Sequence, residues 1–520
     1  MGERVRRSIM NIKVGMLFYV LSLFLAFFSR KIFLDCLGAE FIGLTGMLSN
    51  ILSFLSVAEL GIGTSIIYFL YKPLQEENHE KTNEVVSILA FLYRCIGFFI
   101  GACGLVVSFF FPWWFNNLTT GLPLVYFAFY SFLSSSMLGY IFNFKQLLVI
   151  ADQKQYLVSA YFQTIKIVQS ITQILLAYHY RNLWLWVSVG LFFTIIGILV
   201  FNYRIQQLYP WLKINLKEGR NNLKRYPEIL KKTRQIFVQK IKDFILYRSD
   251  EIMVGMFVSV IKVAFYGNYT MIVNKLNYLV NILSLGIGDG IGNLLAEGNE
   301  KKIMKVFWEL TATRFLILGF VIFSLLIFFQ SFIGCWLGKQ YLLDDIIVYL
   351  LIFNFFLRLQ NAAVYIYIGA SGLFSDVWTA WTELAINLSV TLLLAPTYGI
   401  VGILLGKIIS YFFISVFWKP YFLFSQGFHK SVCLFWKGMF PYYILFVFFT
   451  SITIWLKHSI INYYVDSLWS LATYGTIIFI PLFVLYSIML FQFTTGMKHL
   501  AARKSSIHKI LVKITFNNKQ

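Results

Sequence analysis

Residues Leu37 to Tyr71 read LGAEFIGLTGMLSNILSFLSVAELGIGTSIIYFLY, and a related stretch begins at Ala264 as AFYGNYTMIVNKLNYLVNILSLGIGDGIGNLL. Phe41-Ile-Gly43 of the first answers Phe265-Tyr-Gly267 of the second, and Leu60-Gly-Ile-Gly63 returns unchanged as Leu285-Gly-Ile-Gly288. After a shorter loop Glu80-Lys81 aligns with Glu300-Lys301, and Arg94 then falls on Arg314. The first match is offset by 224 residues and the second by 225, agreement to within one residue, which implies a chain in two related halves. In membrane proteins such duplication places two lobes across a central site.

The rest of the chain agrees with a bilayer setting. Of its 520 residues 59% are hydrophobic and 13% charged, with a mean hydropathy of +0.72, too little polar surface to enclose a soluble core of this size. Apolar runs of roughly twenty residues recur along the chain. The first follows MGERVRRSIMNIK, lacks a small-residue cleavage site and leads into further spans, so no cleavable signal is expected. The expected fold is an all-α integral membrane protein of about 14 transmembrane helices. Six spans, at 12–34, 39–71, 85–111, 122–143, 156–178 and 183–203, form an N-terminal lobe over residues 1–204. A basic cytosolic connector covers 205–235. A second six-helix lobe, 236–424, holds spans at 236–258, 265–295, 306–330, 346–370, 377–395 and 400–424. Two additional helices, at 438–456 and 467–493, lie within 425–493, and 494–520 is a basic cytosolic tail. Six helices per half is an even number, so the two copies enter from the same side and the repeat is parallel.

A net charge of +21 invites a nucleic-acid reading. With both termini in the cytosol, however, about two thirds of the 44 Lys and Arg fall at cytosolic helix ends, which is the positive-inside pattern and needs no polyanion partner. Nine of them lie between Arg204 and Arg234 against only Glu218 and Glu228, a composition attracted to anionic membrane lipid. The five cysteines, Cys36, Cys95, Cys103, Cys335 and Cys433, show no paired spacing and no His at ligand distance, so neither a disulfide framework nor a metal site is expected. The Gly pairs of LGIG permit either a helix break or close helix approach, and packing is the preferred reading.

Charges inside the spans are the informative feature. Arg94, Lys166, Arg248, Lys275, Arg314, Arg358 and Lys407 sit deep in expected helices, and each would cost about 2.5–3.5 kcal/mol facing lipid at the bilayer centre. They must face protein or water. One reading makes them substrate-binding cations of a central cavity; the other pairs several with the intramembrane acids Glu59, Asp243, Asp250, Glu251, Asp289 and Glu383. In the seventh span Lys240, Asp243, Tyr247, Arg248, Asp250 and Glu251 share an arc of about 160°, which predicts one wet helix face. Acids there, Asp250 and Glu251, and Glu59 in the second span, are the candidates for binding a coupling ion, H+ or Na+. No GxxxxGK[ST], HExxH or GxSxG occurs and no extramembrane segment could hold a catalytic domain, so no catalytic residue, cofactor or enzymatic activity is expected.

The run SRKIFLDCLGAEFIGLTGMLSNILSFLSVAELGIG from Ser29, with YKPL and a charged stretch after it, resembles the Wzx-like polysaccharide transporter branch of the multidrug/oligosaccharidyl-lipid/polysaccharide exporter superfamily. Further similarity lies at Arg248-Ser-Asp250, at GASGLF ending in Phe374, and from Glu383 through Asn387 to YGIVG ending at Gly402. The resemblance covers nearly the whole chain. It implies a flippase in the bacterial cytoplasmic (inner) membrane that carries a polyprenyl-diphosphate-linked oligosaccharide, the repeat unit of O-antigen lipopolysaccharide, capsule or exopolysaccharide, to the outer leaflet, working beside a glycan polymerase. The rival readings are a cation-coupled multidrug exporter of the same superfamily, which would want an acid-dominated cavity, and a membrane glycan polymerase or ligase, which would want a long outer loop.

Overall fold

The computed structural model describes residues 3–502 apart from 60, 117, 283–290, 293, 296, 374 and 462–466. Regular structure among the described residues is helical throughout, with no strand. Nine helices among them are long and apolar enough to cross a membrane: Lys13–Leu37, His79–Ser108, Leu122–Asn143, Leu183–Leu208, Glu300–Trp336, Asp345–Ala370, Ile400–Gly427, Val432–Ile460 and Leu468–Phe493. The chain is a multi-pass membrane protein. The remaining expected spans are also helical but interrupted or more polar: 39–71 breaks after Leu55, 156–178 lies in Gln155–Tyr180, and 236–258 lies in Pro227–Phe257. Span 265–295 starts in Val260–Ile282 and runs beyond the described residues, and 377–395 lies in Trp378–Tyr398. These are the segments that carry Glu59, Lys166, Arg248 with Asp250 and Glu251, Lys275, and Glu383. Arg94, Arg314, Arg358 and Lys407 lie instead in helices that stay apolar enough to span.

Two compact units divide after Gly267, Met1–Gly267 and Asn268–Gln520. The first contains α1 (Glu3–Leu37), α2 (Ala39–Leu55), α3 (Ile62–Gln75), α4 (His79–Ser108), the single turn α5 (Phe111–Trp114), α6 (Leu122–Asn143), α7 (Gln146–Ala151), α8 (Gln155–Tyr180) and α9 (Leu183–Leu208). Next come α10 (Leu216–Arg225) and α11 (Pro227–Phe257), and the chain passes into α12 (Val260–Ile282), which straddles the division. Within this unit α1 lies along α8, α4 and α9 both pack on α6, and α11 packs on α2 and α3. The repeat places α11 at the start of the second half, so the contact-based division and the sequence-based one differ by this helix.

The connector is a docked helix. Asn215 caps α10 by accepting from the backbone N–H groups of Lys217 and Glu218. The helix then lies so close on α4 that a Cβ on Gly219 would stand 2.2 Å from the Ser87 carbonyl oxygen. Asn215 N–H donates to Ser87 Oγ at 3.1 Å, Lys213 N–H donates to Asn83 Oδ1 at 3.1 Å, and the His79 ring stacks on Trp211 at 4.0 Å. Tyr226 donates to Glu84 Oε2 at 2.7 Å. Its burial first, and then the Glu84 carboxylate, push the phenol above its ordinary value, with Arg225 opposing.

The second unit is built round α13 (Glu300–Trp336), with α14 (Asp345–Gln360), α15 (Ala362–Ala370), α16 (Trp378–Tyr398) and α17 (Ile400–Tyr411), which continues in wider turns to Gly427. The C-terminal pair, α18 (Val432–Leu456) and α19 (Leu468–Phe493), packs on α13. Tyr486 of α19 donates to the Phe315 carbonyl at 2.9 Å, and Tyr442 of α18 stacks on Trp308 with ring planes 6° apart. Such aromatic packing replaces the hydrophobic drive that is missing between helices in lipid. α4 and α13 begin alike, Asn78 accepting from Lys81 N–H and Asn299 from Lys302 N–H, one residue out of register with the match of Glu80-Lys81 to Glu300-Lys301.

Candidate functional site

The first repeat places a carboxylate at a helix break. α2 ends at Leu55, Ser56–Glu59 form a tight 3-10 turn, Gly61 takes a left-handed conformation at φ 97°, and α3 starts at Ile62. Only glycine suits that point twice over, because a Cβ there would also stand 2.7 Å from the Thr233 carbonyl of α11. Of the two readings left open for LGIG, the first copy takes both, a break and a close approach; the second copy lies outside the described residues.

Glu59 sits at the end of this turn, half-buried, between two phenols from neighbouring helices. Tyr93 of α4 donates to Glu59 Oε1 at 2.7 Å, and Tyr140 of α6 donates to Oε2 at 2.7 Å. Tyr93 is 2% exposed. Gly63, the second residue of α3, leaves room for the Tyr93 hydroxyl, since a Cβ at this position would lie 3.3 Å from it. The carboxylate therefore ties the break to α4 and α6 at once. An ionised Glu59 accepts both phenols; a protonated one must donate from one oxygen, so one tyrosine has to reverse its hydrogen bond or let go. Sequence reasoning named Glu59 but missed both tyrosines, because nothing in the spacing of Tyr93 or Tyr140 distinguishes them from the other tyrosines of the chain.

The second acidic group lies where α11 meets α2. Asp250 is 8% exposed and accepts from Tyr266 at 2.9 Å, a residue of the second repeat's Phe265-Tyr-Gly267. Glu251 is half-buried and accepts from Asn50 Nδ2 of α2 at 2.6 Å; the same amide also donates to the Gly46 carbonyl at 3.0 Å. The backbone of α11 carries Arg248 as expected, but the side chains of Lys240, Lys242, Asp243, Tyr247 and Arg248 lie outside the described set, as does Asp289.

The expected cavity cations occupy different settings. In the first unit Arg94 and Lys166 are exposed. Arg94 follows Tyr93 by about 100° round the helix, so when Tyr93 turns inward to Glu59 the arginine points away. In the second unit Arg314 is 6% and Lys407 8% exposed, while Lys275 and Arg358 are half-buried. The repeat partners Arg94 and Arg314 thus differ in burial. Lys407 adjoins Gly406, where a Cβ would meet the Asn387 carbonyl at 2.9 Å; buried Asn387 lies one turn beyond buried Glu383. Sequence analysis passed over Glu309, 4% exposed on the same helix as Arg314, and the buried pair in which Lys419 Nζ meets Asp376 Oδ2 at 2.6 Å, with Trp418 Nε1 donating at 3.3 Å. Their signal was a charge beside an aromatic residue at a span edge, where solvation is the ordinary expectation.

No family model and no curated protein sequence matches the chain. Several solved structures match the chain, two of them with a shared fold over most of both chains. One is described as the lipid II flippase MurJ in an inward closed conformation, with a TM-score of 0.63 and 14% identity over 93% of this chain and 99% of that one. The other is an inward-facing multidrug resistance MATE family transporter of the MOP superfamily, with a TM-score of 0.54 and 14% identity over 79% of this chain and 97% of that one. The likeness shows a shared fold, that of these two membrane transporters.

Proposed function

We propose that this exporter-fold protein flips a polyprenyl-diphosphate-linked oligosaccharide across the bacterial cytoplasmic membrane by alternating access. The observation that carries the reading is charge at membrane depth within this fold. Arg314 and Lys407 are buried and Lys275 and Arg358 half-buried in helices of the second unit. A diphosphate offers the matching anion, and Arg in particular holds phosphate oxygens in its planar fork. With Arg94, Lys166 and Arg248 these are the groups we assign to substrate attraction, the lipid tail remaining in the bilayer while the glycan crosses in water.

Glu59 is the ion-coupling group we favour, ahead of Asp250 and Glu251. Uptake of a proton, or of Na+ between the carboxylate and the phenol oxygens, removes the bonding pattern that joins the α2–α3 break to α4 and α6. Such a junction has two discrete arrangements, which is what an ion must bias in order to drive transport. The drug-exporter reading is favoured only by the MATE likeness, and the deep charges lean basic, against a cationic cargo. A glycan polymerase would act on the delivered product and is the expected partner.

The test is a strain lacking this protein, analysed for lipid-linked oligosaccharide by mass spectrometry. Accumulation of the lipid-linked repeat unit on the cytosolic side, relieved by the intact gene, is expected. Normal surface glycan with no accumulated intermediate, joined to drug sensitivity, would replace the proposal with the exporter reading.

A further inference from the structure

The YKPL motif at Tyr71, part of the family resemblance, has no role in the mechanism above. Its first three residues, Tyr71, Lys72 and Pro73, line a cavity of about 420 Å³ in the first unit, where the end of α3, the start of α4 and the connector meet. Its two charged walls are Lys72 and Lys81, and no carboxylate lines it. The apolar walls are Tyr68, Phe69 and Pro73, and Tyr226 closes the connector side. Of the acids nearby in sequence, Glu77 and Glu80 are not among its lining residues, Glu84 accepts from Tyr226, and Glu76 lies 3.8 Å from Lys72 Nζ in a pair whose side chains are 84% (Lys72) and 47% (Glu76) exposed. An exposed pair of this kind holds a lysine weakly. Lys81 makes no ion pair among the described residues, and its side chain is exposed.

We infer that this cavity binds the headgroup phosphate of an anionic glycerophospholipid, with its acyl chains running along Tyr68 and Phe69. Three observations lead there. The cavity lies at the N-terminal end of the spanning helix α4, where a span meets the interface. Tyr68 and Tyr71 are 56% and 51% exposed, as amphipathic rings at headgroup level are. Two lysines over an apolar floor match a phosphate carried on hydrocarbon, and basic pockets between spanning helices at the cytosolic face take such headgroups. The volume accommodates a headgroup and glycerol but not a diphosphate together with an oligosaccharide, so the occupant is bulk lipid and not the transported substrate. Bound there, the lipid would bridge α3, α4 and the docked connector, so leaflet composition would act on the segment that leads to the Glu59 break.

The experiment uses the full chain, purified in detergent and titrated with phosphatidylglycerol, phosphatidylcholine or a polyprenyl monophosphate, with retained lipid read by native mass spectrometry. Retention of phosphatidylglycerol over phosphatidylcholine is expected. It should weaken about five-fold with Lys72→Gln or Lys81→Gln and about thirty-fold with both, the strength typical of a basic residue beside anionic lipid. The double Lys→Arg variant keeps the charge and should retain the lipid, which separates charge from any effect on folding. Unchanged phosphatidylglycerol retention in the double Gln variant would overturn the inference. Loss of polyprenyl monophosphate alone in that variant would also overturn it, by making the cavity a substrate site.

Discussion

Tyr93→Phe removes one of the two donors to Glu59 and leaves the ring in its packing. A hydrogen bond to a charged group contributes about 1.5–3 kcal/mol, and because Glu59 is only half-buried the lower end applies, about 1.5 kcal/mol or roughly ten-fold in an equilibrium. Tyr140→Phe should cost a similar amount at the other oxygen. The double variant should lose more than the sum, by about 0.5–3 kcal/mol, because the carboxylate then has neither phenol in a site that excludes much of the water. Thermal unfolding of the purified protein in detergent, followed by tryptophan fluorescence, reads this ordering. Glu59→Gln serves as the functional counterpart. Its amide can accept from one phenol and donate to the other, so stability should stay within about 1 kcal/mol of the parent. It cannot take up a proton, so flipping in proteoliposomes should lose its response to an imposed proton gradient while equilibration down a substrate gradient continues. Neutral effects of both Tyr→Phe changes, together with an intact gradient response in Glu59→Gln, would refute the clamp as a coupling device.

Arg314→Ala should lower the yield of folded protein, because truncating so buried a side chain leaves a cavity among its neighbours, as well as reducing transport; Arg94→Ala should leave yield intact and reduce transport. Immunoblots of membrane fractions beside a flipping assay separate the two outcomes. Gly219→Val should lift α10 from α4 at a cost of about 1–3 kcal/mol, since even a Cβ would stand 2.2 Å from the Ser87 oxygen, and faster protease nicking between Arg204 and Arg234 reads the release. The raised Tyr226 phenol contributes its share of connector docking fully below pH 10.0, its ordinary value, and loses it as pH rises through the higher folded value; nicking should therefore increase above pH 10.0 in the parent and be flat in Tyr226→Phe. Reporter fusions at Thr119 and Asn222 should give opposite sidedness, with Asn222 cytosolic, and like sidedness would sink the positive-inside topology.

Composition and the duplicated stretch were enough to identify a two-part all-α membrane protein, because a chain with so little polar surface can satisfy its backbone in lipid only by long helices. The acids and cations at membrane depth were legible for the same reason: a charge inside an apolar run has no ordinary explanation. Their partners were not. Glu59 meets Tyr93 and Tyr140 across 34 and 81 residues of chain, and Glu251 meets Asn50 across 201, distances over which helical periodicity carries no information. Nor could a repeat alignment tell that Arg94 would be exposed and Arg314 buried. Burial depends on which helix covers each face, and that is decided when the helices pack. The connector makes the same point: its charge marked it as a segment drawn to anionic lipid, yet a glycine at 219 and the Asn215 cap let α10 lie flat on α4. Sequence determined which residues must find polar company inside the membrane, and tertiary packing decided which company each one keeps.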